Sequence, residues 1–278
     1  MIYAFDHEDA IIKDFMRGTT AEYSTWDKVK EMHPSHSVVL RGMTKGKIIH
    51  QCWKQGRDFY YIDTGYIGNL TKRKHYHRVV KNNVQNTQVR DVPDDRYRRF
   101  SQRHPETIFN GWKPQGRSIL LVTPSEKPCK FYGITRQKWI DETTEQLKKF
   151  TDRPIIIRDK GLRRERVGNG SLFAQLDTDN VYAVVTYQSI AAIESVCHGV
   201  PAFATAPTAA DYVTLKDLSR IEQAYRPNPD QIRHWLKWLS YCQYTVEELN
   251  SGTALKIIQE YNLKLSLIHI SEPTRLSL

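Results

Sequence analysis

Residues 182–210 read YAVVTYQSIAAIESVCHGVPAFATAPTAA, and the order of residue types in this stretch decides the fold class. Residues 182–185 are a β-rich apolar run, polar positions follow, and Ile190, Ile193, Val196 and Cys197 then recur at helical spacing toward one face. Ser189 is placed to cap that helix, Gly199 stops it, and Pro201 blocks its continuation into the next apolar segment. A buried strand, a polar turn, a short helix and a second strand are therefore expected. The start of such a helix presents free N–H groups and a positive dipole end to whatever lies above the strand ends. Thr186, Tyr187, Gln188 and Ser189 are thus candidates to hold a diphosphate, with Glu194 one turn deeper and within reach of a ribose.

Outward from this segment the same alternation repeats. In the first half, strands are expected at residues 2–5, 37–41 and 58–62, and helices at 7–16 and 46–55, with Ile11, Ile12 and Phe15 or Ile48, Ile49 and Cys52 on one side. In the second half a strand at 118–122, a helix at 135–150 and a strand at 154–158 lead into the opening segment. Short apolar strands alternating with helices argue for parallel sheets covered on both faces. The proline-rich basic stretch 91–116 is the expected boundary between two such units. Asn228-Pro229 and the Thr245…Glu248 capping box open the closing helices.

The chain has 278 residues, enough for two α/β domains of modest size. Its 41 basic against 31 acidic residues give a formal charge of +10, which favours a polyanionic partner. Cys52, Cys129, Cys197 and Cys242 are far apart, with no C-x-x-C pair, so neither disulfides nor zinc is suggested. His75-x-His77 and the His33/His36 pair lack third ligands at usable spacing, and no metal is assigned. No apolar run approaches membrane-spanning length, and the start MIYAFDHED lacks the basic region of a signal peptide. A cytoplasmic protein with no membrane partner is expected.

The opening segment resembles the donor-binding element of GT-B glycosyltransferases, in which a strand-turn-helix holds a nucleotide-sugar's diphosphate and a helix glutamate binds the ribose. Across almost the whole length, DFYYIDTGY, DRPIIIRDK and VTYQSIAAIESVCHGVPAF resemble phage-encoded proteins classed as glycosyltransferases, some of which glycosylate modified bases in DNA. The resemblance implies an α/β fold of two Rossmann-like parallel-sheet domains facing across a cleft. Residues 1–112 would bind the acceptor, and residues 113–264 a UDP-sugar such as UDP-glucose, without a required metal. The implied acceptor is double-stranded DNA carrying a hydroxymethylated pyrimidine such as 5-hydroxymethylcytosine, in the cytoplasm of an infected bacterial host. That base must leave the stack before its hydroxyl can reach the anomeric carbon.

Within such a cleft, Arg158 and Lys160 follow a strand directly and are expected to meet the diphosphate, with Arg163, Arg164 and Arg166 close behind. Asp63 is the candidate base, a carboxylate ending an apolar strand with Gly65 beside it; Asp6 and His7 are its rivals. In families of this architecture a base from the first domain accompanies inversion, and the retaining pattern of two glutamates eight positions apart is absent, since position 186 is a threonine. KRKHYHR (72–78) and RYRRFSQR (96–103) interleave cations with aromatics. Lys72, Arg73, Lys74, Arg78, Arg96, Arg98 and Arg99 are therefore the expected DNA contacts. Asp177-Thr178-Asp179 has the D-x-D form of a metal motif from another glycosyltransferase architecture and is taken as a turn. The alternatives are a transferase acting on a surface polysaccharide or glycan, and a nucleic-acid-binding module without catalysis.

Residues 265–275, LSLIHISEPTR, match a direct translation of a sequencing adapter. Residues 265–278 are expected to lie outside the fold, the source to be metagenomic, and the natural sequence to be interrupted after Lys264.

Overall fold

A computed structural model describes residues 1–68, 76–105, 108–114, 116–159, 161 and 168–263. The first half contains β1 (Ile2–Ala4), α1 (Ala10–Arg17), β2 (Glu22–Tyr23), α2 (Trp26–Val29), β3 (Ser37–Arg41), α3 (Gly46–Gln55), β4 (Phe59–Thr64), β5 (His77–Lys81) and α4 (Asp95–Arg103). The second contains β6 (Ser118–Val122), α5 (Glu126–Phe131), α6 (Arg136–Lys148), β7 (Ile155–Arg158), α7 (Leu172–Thr178), β8 (Val181–Thr186), α8 (Ala191–Cys197), β9 (Ala202–Ala204) and α9 (Pro229–Tyr241). After these come β10 (Gln243–Tyr244), α10 (Val246–Asn250) and α11 (Thr253–Leu263).

Two sheets result, as the alternation requires. The first runs β10-β5-β4-β3-β1-β2 and the second β7-β6-β8-β9. All pairs in the second sheet are parallel, as are those joining β1, β2, β3 and β4; β5 is antiparallel to both of its neighbours. Every residue of β6 and β8 is buried, the signature of parallel strands covered by helices on both sides. The helix starts follow from their caps. Asp9 accepts the N–H groups of Ile11 and Ile12, and reciprocal capping boxes open α9 at Asn228 and α10 at Thr245.

The chain does not divide at one point. The sequence reading assigned residues 113–264 to the second unit, but after α9 the chain returns to the first sheet, where β10 pairs with β5 through Gln243↔Arg78 and Tyr244↔His77. Gln243 Oε1 accepts the N–H groups of Tyr66 (2.8 Å) and Ile67 (3.0 Å), and Tyr244 is buried with Ile12, Tyr60 and Ile258 of α11. The helix α5 also reaches across. Its Phe131 is buried in the first half's cluster with Ile49, Cys52 and Tyr61, and the His50 ring stacks on it at 4.8 Å. Tyr66, Ile67 and Phe100 in turn share a cluster with Ile193, Trp235 and Leu239.

Two of the expected DNA contacts, Arg78 and Arg96, therefore lie away from the surface. His77 to Lys81 form a strand, so Arg78 lies inside the sheet and is 6% exposed. The 96–103 stretch is helix α4, whose Arg96 and Phe100, one turn apart, face inward. Arg96 pairs with Glu248, donates to the carbonyls of Ser240 and Gln243 (both 2.9 Å), and lies over the rings of Tyr241 and Tyr244. It ties the first half to the returning segment. Arg98 and Arg99 are on the outer face of α4, paired back to Asp94 (2.6 Å) and Asp95 (3.1 Å). Lys72, Arg73 and Lys74, like Lys160, Arg163, Arg164, Arg166 and residues 264–278, lie outside the described residues.

Candidate active site where the two sheets meet

The strand order of the second sheet dictates a crevice. From β6 the chain goes through α6 to β7 on one side, whereas from β8 it goes through α8 to β9 on the other. Trp139, Ile140 and Leu147 of α6 pack with Ile119, Leu121 and Val185 on one face, and Ile193 and Val196 of α8 with Leu120 and Val184 on the opposite face. The loops after β6 and β8 thus part to opposite faces, and the gap between them at the strand C-termini is the topological switch point where ligands of such sheets bind.

Thr123 stands on one side of this gap and residues 187–190 on the other. The N–H groups of Gln188, Ser189 and Ile190 meet no acceptor among the described residues, and Ser189 Oγ accepts the N–H of Ala191 at 3.2 Å. Gln188 is 7% exposed, and its Nε2 donates to Tyr132 Oη and to the Pro207 carbonyl, both at 2.6 Å. One amide therefore joins the loops after β6, β8 and β9. Tyr187 is half-buried with its ring edge-on to Tyr132 and Trp139, and burial pushes its phenol up to about 12. Glu194 is half-buried in the first turn of α8.

Thr186 and Arg158 are placed differently from the sequence expectation. Thr186 is wholly buried and its hydroxyl donates to the Val122 carbonyl at 3.1 Å, so it braces β8 against β6 and offers no surface to a phosphate. Arg158 ends β7, the edge strand, and donates to Gly170 O (2.7 Å) and to the side chain of Gln175. β6 separates it from β8, which puts it about 10 Å from Gln188 across the sheet.

Asp63 ends β4 directly opposite Arg78 of β5. Its Oδ2 accepts the Tyr61 hydroxyl (2.8 Å) and an Arg78 guanidinium N–H (3.1 Å), while Oδ1 accepts the N–H of Thr64 (2.7 Å). Burial alone would pull the Arg78 pKa down, but the charges of Asp63, Tyr66 and Tyr61 push it above its ordinary value. The guanidinium stabilises negative charge on Asp63, and a base must surrender that charge on taking a proton.

The two poles meet through Tyr132, which the sequence reading passed over. Burial raises the Tyr132 pKa, Asp211 adds to the rise, and both the Gln188 hydrogen bond and the nearby Arg78 charge oppose it. Gln188 of the second half and Arg78 of the first thus act on one phenol. Asp211, in the loop after β9, is a second missed residue: it pairs with Lys216 (3.2 Å) and accepts the Thr208 N–H (3.2 Å), and burial raises its pKa against both. Thr123, Arg136 and Asp159 form a third group, with Thr123 Oγ1 donating to Asp159 (2.8 Å) and accepting from Arg136 (3.1 Å). Only α5 could have signalled Tyr132, as a short helix between a strand and a longer helix.

The D-x-D stretch falls at the opposite end of the second sheet's strands, where the last turn of α7 leads into β8. Asp177 pairs there with Lys113 and His198, and Asp179 accepts from Gln175 at 2.8 Å. Among the described residues no group of three His, Cys, Asp or Glu is arranged to hold a metal.

Two Rossmann-like, largely parallel sheets set against each other define a GT-B-like fold, the architecture of a large class of glycosyltransferases. No protein-family model and no curated protein sequence matches the chain. Among solved structures, it is similar to the beta Kdo 2,7 transferase of Thermosulfurimonas dismutans KpsC, with a TM-score of 0.56 and 13% identity over 95% of this chain and 99% of that one. The beta Kdo 2,4 transferase of the same KpsC gives a TM-score of 0.52 and 12% identity over 92% and 97%. At such identities the likeness is one of fold.

Proposed function

We propose that the protein is a glycosyltransferase that takes a sugar from a nucleotide-sugar and adds it to a glycan. The observation that carries this reading is the switch-point crevice at residues 188–190, joined through Tyr132 to the core of the first half that also holds Tyr61, the hydrogen-bond partner of Asp63. Unpaired N–H groups at a helix start suit a donor phosphate, and Glu194 one turn deeper keeps its proposed place on the ribose. The donor is of the uridine type, as the motif resemblance suggests. Asp63 is retained as the base on the acceptor side, with Asp211 as the competing proton acceptor.

A glycan acceptor is favoured over DNA because Arg78 and Arg96 are buried in structural ion pairs, and because both similar structures are named as transferases of Kdo. The formal charge of +10 supports the second reading, transfer to hydroxymethylated duplex DNA in a phage-infected cell. Among the described residues no helix is long and apolar enough to cross a membrane.

The test is to incubate the protein with a panel of nucleotide-sugars and three acceptors: an oligosaccharide mixture, hydroxymethylated DNA and plain DNA. Mass spectrometry should show a sugar-sized increment on the oligosaccharide. An increment confined to hydroxymethylated DNA would replace the glycan by the nucleic acid, and donor consumption with no nucleotide in the panel would end the transferase reading.

A further inference from the structure

Tyr132 follows α5 and belongs to both halves. Its ring packs against the first half's cluster, edge-on to Phe131 at 4.9 Å and to Tyr187 at 5.7 Å, and its Oη is 2.6 Å from Gln188 Nε2. The same Nε2 donates to the Pro207 carbonyl at 2.6 Å. A carbonyl can only accept, so this second bond fixes the amide's orientation: the group facing Tyr132 is the NH2, and Tyr132 Oη is the acceptor. A phenol used in this way still has its own proton to give, and no acceptor among the described residues takes it. With its pKa held up by burial, the phenol is a hydrogen-bond donor at neutral pH.

We propose that the Tyr132 O–H donates to the leaving phosphate oxygen of the nucleotide-sugar, which makes Tyr132 a catalytic residue of the transferase reading on which this inference rests. In the transfer, the bond between the anomeric carbon and the phosphate oxygen breaks and its electron pair stays on that oxygen. The acceptor oxygen forms the new bond, and the acceptor's proton passes to a carboxylate of the cleft. Tyr132 keeps its proton throughout and shares it in a hydrogen bond that strengthens as the phosphate gains charge, so it favours the transition state over the bound donor. The N–H groups of residues 188–190 hold the same phosphate from the other side. Gln188 is then the positioning residue, its amide aiming the phenol instead of touching the donor.

Tyr132→Phe tests this, because it keeps the ring and its packing and removes the hydroxyl, which is both the donor to the phosphate and the acceptor of the Gln188 amide. Titration with uridine diphosphate and, beside it, the other nucleoside mono- and diphosphates should show the best-bound nucleotide weakened about tenfold, while the bare nucleoside binds as before. The kcat should fall about 100-fold with the acceptor KM unchanged and the unfolding temperature lowered only by what the lost Gln188 hydrogen bond is worth. A variant that binds the nucleotide and turns over as the wild type does overturns the proposal and leaves the transferase reading standing. Equal weakening of nucleoside and nucleotide, or a lowered unfolding temperature that accounts for the lost turnover, overturns it as well, since either marks a purely structural ring. A wild-type protein that binds no nucleotide removes both.

Discussion

The two halves wind their first four strands in the same order yet put their charges in opposite places. In the first sheet the order β2-β1-β3-β4 is extended by the antiparallel β5 and β10, and these added strands admit Arg78 into the sheet interior opposite Asp63. In the second sheet, β6, β8 and β9 are filled with buried apolar residues, and described ion pairs stand at the strand ends, among them Arg136 with Asp159 above and Lys113 and His198 with Asp177 below. A sheet sandwiched by its own helices has no room for an ion pair. A sheet whose outer strands are covered by the other half can bury one and expose part of it toward the cleft, as the Asp63 side chain, 36% exposed, shows.

The largest effect that could break this contrast is at Arg78. Arg78→Met removes the buried guanidinium and its hydrogen bonds to the Thr64 carbonyl and to the part-exposed Asp63 carboxylate, and should lower the free energy of unfolding by about 1.5–3 kcal/mol in urea titration. Arg158→Met at the end of β7, a half-exposed site whose bonds include those to the Gly170 carbonyl and the Gln175 side chain, should cost less. Equal losses at the two arginines would mean that the halves do not differ in where they tolerate charge.

The same contrast explains what the sequence disclosed. Strands covered on both faces are apolar throughout, so β3 and β6 were legible to the residue, as were α3 and the caps at Asn228 and Thr245. β5 was not, because HRVVK contains a histidine and an arginine whose burial depends on β4, β10 and Asp63, all distant in sequence. β10 has two residues and no periodicity to detect. In the site, the strand-turn-helix at residues 182–197 was plain, but Thr186 was misplaced as a ligand because the alternation of a fully buried strand does not reveal where its last inward hydroxyl points. Tyr132 was illegible because its hydrogen-bond partner, Gln188, lies 56 residues further along the chain.

A smaller effect sharpens the comparison at the second half's upper end. Ile190 has φ −59°, which proline adopts without strain, and its N–H meets no acceptor among the described residues. Ile190→Pro therefore removes a donor from the crevice while the helix start keeps its geometry. Nucleotide affinity measured by calorimetry should fall about tenfold, the worth of one hydrogen bond to a charged group, with a stability loss of only about 1 kcal/mol from the lost side-chain packing. Unchanged affinity would move the phosphate away from residues 188–190.

The smallest effect lies at the lower end of the same sheet, where the linker between the halves is fastened. Lys113 donates its N–H to Gly199 O at 2.9 Å, and its Nζ is 2.6 Å from His198 Nε2, which is also 3.1 Å from both Asp177 carboxylate oxygens. The Phe173 ring stands edge-on to the imidazole at 5.0 Å. Burial and the Lys113 ammonium hold the His198 pKa below its ordinary value, and Asp177 only partly offsets them. The folded protein thus resists a proton that the unfolded chain accepts at an ordinary histidine pKa of about 6.5, so this contribution to stability is complete above that pH and is lost as the pH falls toward the folded value. Asp177 does not blur the window: despite burial, Lys113 and His198 hold its carboxyl below the usual range, and it stays ionised throughout. Unfolding temperatures taken between pH 7.5 and 5.5 should therefore drop more steeply for the wild type than for His198→Gln, which removes the imidazole and leaves Lys113 to hold Asp177 ionised. Parallel curves would show that the imidazole charges without disturbing Lys113, and that the second sheet's lower end tolerates an added positive charge as readily as solvent does.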